Sequence, residues 1–112
     1  MTAGELAAHL HLACLTGKGG LNQPVNGCYI GDLLSHALTR LEHGNIWVTI
    51  HGHPNVVAVG VQTNAGCVIL ADGRPLDPVA AVKADEHNLP ILASQKSAFA
   101  LAGEVFQLTV DS

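Results

Sequence analysis

Charge is what this chain has least of. Only 12% of its 112 residues are Asp, Glu, Lys or Arg, and basic residues number five against nine acidic ones, for a formal net charge of −4. No basic stripe runs along any segment, which excludes the phosphate-neutralising surface that nucleic-acid binding needs. Aromatic residues are nearly as scarce, at 4%, so the core must be built from Val, Leu, Ile and Ala. The three cysteines, Cys14, Cys28 and Cys67, are odd in number and show no CxxC spacing, which argues against a disulfide framework or a zinc ribbon. No apolar run reaches the twenty or so residues of a membrane span. The first residues, Thr2-Ala3-Gly4-Glu5, are not basic and lead into no signal-type apolar region. A cytoplasmic protein with reduced thiols is the expectation.

What is present is a high hydrophobic fraction, 48%, in short runs punctuated by Gly, Pro, Asn and Asp. No repeat and no second domain are visible, and residues 1–112 read as a single domain. High apolar content with little charge leaves surface for a partner to cover, and a two-fold homodimer is the simplest expectation.

The organising stretch is Ile46–Arg74. Ile46–Ile50 and Val68–Leu70 read as strands, joined through the polar turn His51-Gly52-His53-Pro54-Asn55 and a run of small apolar residues. The valines of that run favour a strand on propensity. Its length, Pro54-Asn55 at its start and Gly66 at its end favour a buried helix, and the spacing predicts helix over 56–65. Strand, helix, strand is a βαβ unit. Both strands then end on one edge, where ligands of open α/β sheets bind.

Around this unit the pattern repeats. Thr2 and Glu5 form a capping-box pattern opening a helix to about Leu10. His11–Leu15 and Val25–Ile30 read as strands. Asp32 is placed to cap a helix carrying Leu33, Leu34, Ala37, Leu38 and Leu41 on one face, ending by Gly44. Asp77-Pro78 starts another helix, with Asn88 as its left-handed end. Leu89–Leu92 is a strand that Pro90 confines to a sheet edge or to a strand beginning. Ser94 is placed to cap a last helix that stops at Gly103, and Val105–Val110 alternates as a short tail strand. The class is α/β, a mostly parallel sheet flanked by helices. Gly17-Lys18-Gly19-Gly20 lacks the Ser or Thr that a P-loop requires after its lysine, and reads as a plain turn.

Three segments carry a family resemblance: Gly27–Ser35, Trp47–Val59, and Asn88–Leu92 followed by Ala98–Gly103. Their order and spacing, over about Val25 to Val105, resemble the stand-alone branch of the DRTGG domain family. The namesake Asp-Arg-Thr-Gly-Gly string is absent, and His51–Asn55 stands where larger relatives carry a Gly-Asp-Arg-like turn. The resemblance implies a fold similar to the N-terminal domain of the HPr kinase/phosphorylase and a regulatory, non-catalytic role. Similar domains sit in some phosphotransacetylases and, beside CBS domains, in some pyrophosphatases. Stand-alone copies tend to accompany iron-hydrogenase genes, which implies a structural adaptor docking on a hydrogenase or another redox enzyme as a second role.

From the residues themselves, the candidate ligand-binding set is His51, His53, Asn55, Asp72, Gly73, Arg74, Asp32 and Ser35. With Asn55 as helix cap, the amides of Val56, Val57 and Ala58 would face an anion such as an adenine nucleotide, and Arg74 would add a fork for phosphate. A metal-binding accessory role would rest on His51 and His53, two apart on an extended segment and so on one side of it. Cys67, at the start of its strand, lies at the opposite edge, roughly 16 Å away. Asp32, Ser35 and His36 show no G-x-S-x-G elbow or separable triad, so no catalytic residue is assigned. No cofactor is assigned either.

Overall fold

A computed structural model of the chain describes residues 1–110. Four parallel strands, β2 (Cys28–Ile30), β3 (Ile46–Thr49), β4 (Cys67–Leu70) and β5 (Ile91–Ala93), form most of a five-stranded sheet. β1 (Ala13–Thr16) joins β5 antiparallel, and the order across the sheet is β1-β5-β4-β3-β2. The connecting helices are α1 (Ala3–Leu10), α2 (Leu34–Arg40), α3 (Pro54–Gln62), α4 (Pro78–Glu86) and α5 (Ala98–Val110).

Every residue of β3 and β4 is buried, as parallel strands covered on both faces require. Alternation divides them between two cores. Ile46, Val48, Cys67, Ile69 and Leu92 pack with Leu6 and Leu10 of α1 and Leu101 and Val105 of α5. Trp47, Val68, Leu70 and Ile91 pack with Ala37, Val56, Val57, Ala80 and Ala84 of the three helices opposite. Alanines at the helix contacts fit a core short of aromatic rings. Trp47 is fully buried, and its indole N–H donates to the Gly31 carbonyl at 2.9 Å, as a buried Trp needs.

Several expectations hold. The capping box closes with Glu5 N–H donating to Thr2 Oγ1 at 3.1 Å and Thr2 N–H to Glu5 Oε1 at 2.9 Å. The valine-rich crossover is helix α3. Asp77 caps α4 through Val79 N–H at 2.7 Å, and Asn88 follows α4 with φ of 52°. Pro90 opens β5, which lies inside the sheet rather than at its edge.

Five expectations fail. Val105–Val110 is not a strand: α5 runs through Gly103, because Leu101, Val105 and Leu108 recur at helical spacing and meet the core. That burial outweighs the ~1 kcal/mol penalty of a helical glycine. Ser94 caps nothing in α5; its hydroxyl accepts from Lys96 N–H, while Ser97, next to α5, accepts from Ala100 N–H. Asp32 does not cap α2, which opens after Leu33 with no side-chain cap. α2 also stops at Arg40 and leaves Leu33 and Leu38 exposed, so its apolar face is narrower than the spacing predicts. Finally, only Cys28–Ile30 of the Val25–Ile30 run pairs as strand, with Val25 packed against the core instead.

Candidate ligand site at the carboxyl edge

The carboxyl ends of β3 and β4 bring His51–His53 and Asp72–Arg74 together, as the βαβ reading requires. Gly52 makes the close approach possible: a Cβ on it would stand 2.1 Å from the Pro75 carbonyl oxygen, and Asp77 N–H donates to its carbonyl at 2.9 Å. His51, His53, Arg74, Pro75 and Asp77 border a hollow of about 380 Å³. A second hollow of about 540 Å³ lies on the other side of Arg74, bordered by His11, Gly73, Ser94, Gln95 and Lys96. Arg74 lines both.

The Asp72–Arg74 segment is a tight turn. Asp72 and Gly73 have φ of 59° and 63°, and Arg74 N–H donates to the Ala71 carbonyl at 3.2 Å, the pattern of a type I′ turn. Asp72 N–H donates to the Lys96 carbonyl at 2.8 Å and Gly73 N–H to that of Ser94 at 2.9 Å. All three amides are therefore spent on backbone. Gly73 packs so closely on Gln95 that a Cβ would meet its Oε1 at 2.4 Å.

The start of α3 corrects the anion-site geometry. His53, not Asn55, is the cap: its Nδ1 accepts from Asn55 N–H at 3.0 Å, and its carbonyl accepts from Val56 N–H at 2.9 Å. Pro54 has no N–H, so the helix end offers a ligand little free amide. Pro at the first helical position explains the shift, since it pushes the cap one residue before it. The role of cap acceptor also uses the neutral imidazole with Nδ1 bare.

Asp32, released from capping α2, serves the site differently. Its Oδ1 accepts from Thr49 Oγ1–H at 2.7 Å and from Ile50 N–H at 2.9 Å. It thereby fixes the first residue of the β3 loop, and Ile50 lines the first hollow. Ser35 is exposed in the first turn of α2 and borders neither hollow, and Asn55 also stands outside both. His11, Gln95 and Lys96 are missing from the sequence-derived set. They arrive because β1 runs antiparallel, which brings Ala13 opposite Ala93 at the carboxyl edge, and no local signal announces that pairing.

Arg74 is the cation available at this edge. Among the described residues its guanidinium has no hydrogen-bond or ion-pair partner, whereas Lys96 is bound to Glu104 at 2.8 Å. Among the described residues, too, no three His, Cys, Asp or Glu side chains are grouped to hold a metal ion. His51 and His53 thus lack the third ligand that even an open metal site needs. Desolvation raises all three thiols, Cys67 to about 12, so none is poised as a thiolate. The Gly17–Gly20 turn is closed to phosphate as well, because the Asp85 carboxylate accepts from Gly17 N–H at 2.8 Å. A further hollow of about 390 Å³ at the amino edge, near His43, Asn64, His87 and Asn88, has no Lys or Arg in its lining.

No family model and no curated protein matches the chain. Among solved structures, the CBS and DRTGG domains of the regulatory region of Clostridium perfringens pyrophosphatase, complexed with its activator diadenosine tetraphosphate, superpose with a TM-score of 0.72 over 95% of this chain. The fold is DRTGG-like. At 10% identity the likeness is one of fold, and this chain spans 46% of that one, less than half its length. The DRTGG-like fold accounts for the five-stranded, mostly parallel sheet with helices on both faces. Among the described residues no helix is long and apolar enough to cross a membrane.

Proposed function

We propose that this chain is a non-catalytic regulatory domain that binds an adenine nucleotide at the carboxyl edge, between the His51–His53 loop and the Asp72–Arg74 turn. The observation that carries this reading is Arg74, an unpaired guanidinium shared by two hollows at the edge where parallel sheets bind ligands. A planar guanidinium matches phosphate with two parallel hydrogen bonds. The DRTGG-like fold supports a nucleotide as the anion, since the solved regulatory region with this fold is complexed with diadenosine tetraphosphate.

With the nearby amides spent, phosphate recognition falls to side chains. Arg74 leads, and the His51 and His53 rings border the same hollow, each able to offer a ring N–H donor. The Asp32 and Asp72 side chains border neither hollow, so Asp32 serves by fixing the β3 loop and Asp72 by forming the turn that presents Arg74. Net charge of −4 opposes long-range capture of an anion, so selectivity rests on short-range contacts.

Calorimetric titration of wild type and Arg74→Ala with AMP, ADP, ATP and diadenosine tetraphosphate tests this directly. Binding weakens roughly tenfold or more in Arg74→Ala, through loss of the charge-assisted guanidinium–phosphate contact. Absence of heat and of any thermal shift at millimolar nucleotide removes the nucleotide reading and favours an adaptor that docks on another protein.

A further inference from the structure

The chain has two phenylalanines, and both stand on the solvent side of one helix. On α5, Phe99 is 90% exposed and Phe106 60%, in a protein whose core is short of aromatic rings. They are seven residues apart, close to two helical turns, and so lie on one line along the helix. Ala102 and Gly103 fall between them, and nothing lies within 4 Å of a Cβ built on Gly103. The other side of α5 is properly buried through Leu101 and Val105, so the outer stripe is not a displaced core face.

We propose that this stripe is a homodimer interface, in which α5 of two copies pairs antiparallel about a two-fold axis between Ala102 and Gly103. Three observations select a second copy as the occupant. The first is self-complementarity. The midpoint between Phe99 and Phe106 falls between the two small residues, so an axis there sets Phe99 of each copy against Phe106 of the other. The crossing point then has no bulky side chain to hold the helices apart.

The second is charge. Two copies of a chain with net charge −4 repel over most of their surface, but α5 has a single charged residue, Glu104. Lys96 Nζ neutralises it, donating to its two oxygens at 2.8 and 3.0 Å. A second copy therefore meets no net like charge, whereas a charged partner finds no free countercharge. Of the further exposed apolar residues, Val79 and Val82 on α4 are bordered by Lys83 and Glu86 with no small residue at their centre, and Ile30, Leu33 and Leu38 near α2 include no aromatic ring.

The third is area. With Phe99 90% and Phe106 60% exposed in each copy, the four rings supply roughly 450–750 Å² of the ~1,200 Å² that a specific interface buries. Ala100, Ala102, Gly103, Glu104 and Gln107 border the same patch and extend it. None of Phe99, Ala102, Gly103 and Phe106 borders the carboxyl-edge hollows, so the interface is independent of the nucleotide reading.

Sedimentation velocity across micromolar concentrations reads the outcome. The expected species has twice the 11.6 kDa mass of one chain. The double variant Phe99→Ala/Phe106→Ala weakens it roughly tenfold or more, and Val79→Ala/Val82→Ala leaves it unchanged. Both phenylalanines are exposed, so circular dichroism of the double variant stays that of the wild type. In a Cys28→Ser background, Gly103→Cys gives a disulfide-linked dimer on oxidation and Val82→Cys does not. A wild type that remains monomeric, a dimer that survives loss of both rings, or cross-linking through Val82→Cys but not Gly103→Cys overturns the proposal.

Discussion

At the residue scale, two side chains show how local chemistry repairs what the chain lacks. Pro90 has no N–H to give the sheet, and β1 meets β5 with a register shift between Cys14 and Thr16. The buried Thr16 hydroxyl fills this gap, donating to the Leu89 carbonyl at 2.9 Å and accepting from Ile91 N–H at 3.1 Å. Thr16→Val keeps the shape and strands both groups, so urea unfolding should show a loss of about 1–3 kcal/mol, with Thr16→Ser much milder. Cys67 is the second case. Burial raises its thiol from the ordinary 9.0 to about 12, so between those values the unfolded chain has lost a proton that the native one keeps. Stability from this group is complete below pH 9.0 and falls as pH rises toward 12. Cys67→Val should flatten that alkaline decline in urea midpoints measured at stepped pH.

At the element scale, α3 depends on an unusual cap. His53 satisfies Asn55 N–H and Val56 N–H at once, and an imidazole is a larger, more constrained acceptor than Ser or Asp. His53→Ala should cost about 0.5–2 kcal/mol, and His53→Asp should recover most of it at neutral pH. Thermal unfolding of the three proteins separates this capping role from any ligand role, because it needs no nucleotide. The loop before the cap is held independently by Asp32 on Thr49 and Ile50. The site is thus built from two fixed turns, with only side chains left to adapt.

At the scale of the whole molecule, the sheet separates two cores, one on each face. Ile69 faces α1 and α5 from the middle of β4, fully buried. Ile69→Ala removes that side chain between two helices and should destabilise by about 2–5 kcal/mol in urea unfolding. Val82→Ala on the exposed side of α4 should change little, within about 0.5 kcal/mol. The contrast tests whether the apolar content is concentrated in the two cores or spread over the surface.

Much of the fold was legible because its signals are local. Thr2 with Glu5, and Asp77 with Pro78, specify helix starts by chemistry that acts over three residues. The continuous apolar runs at β3 and β4 specify buried parallel strands, and their spacing around a helix-length crossover brings His51 and Arg74 to one edge. What the sequence alone could not decide depended on distant partners. Whether Val105 belongs to a strand or to α5 is settled by the sheet face that receives Leu101, Val105 and Leu108, since a two-residue and a four-residue period coexist in that segment. Whether Asp32 caps α2 or steadies β3 is settled by Thr49, seventeen residues away, whose hydroxyl and following amide offer a better-placed pair of donors. The second hollow exists only because β1 pairs antiparallel with β5, bringing His11 to Gln95 and Lys96. That pairing is a long-range hydrogen-bonding choice, which no window of local sequence encodes.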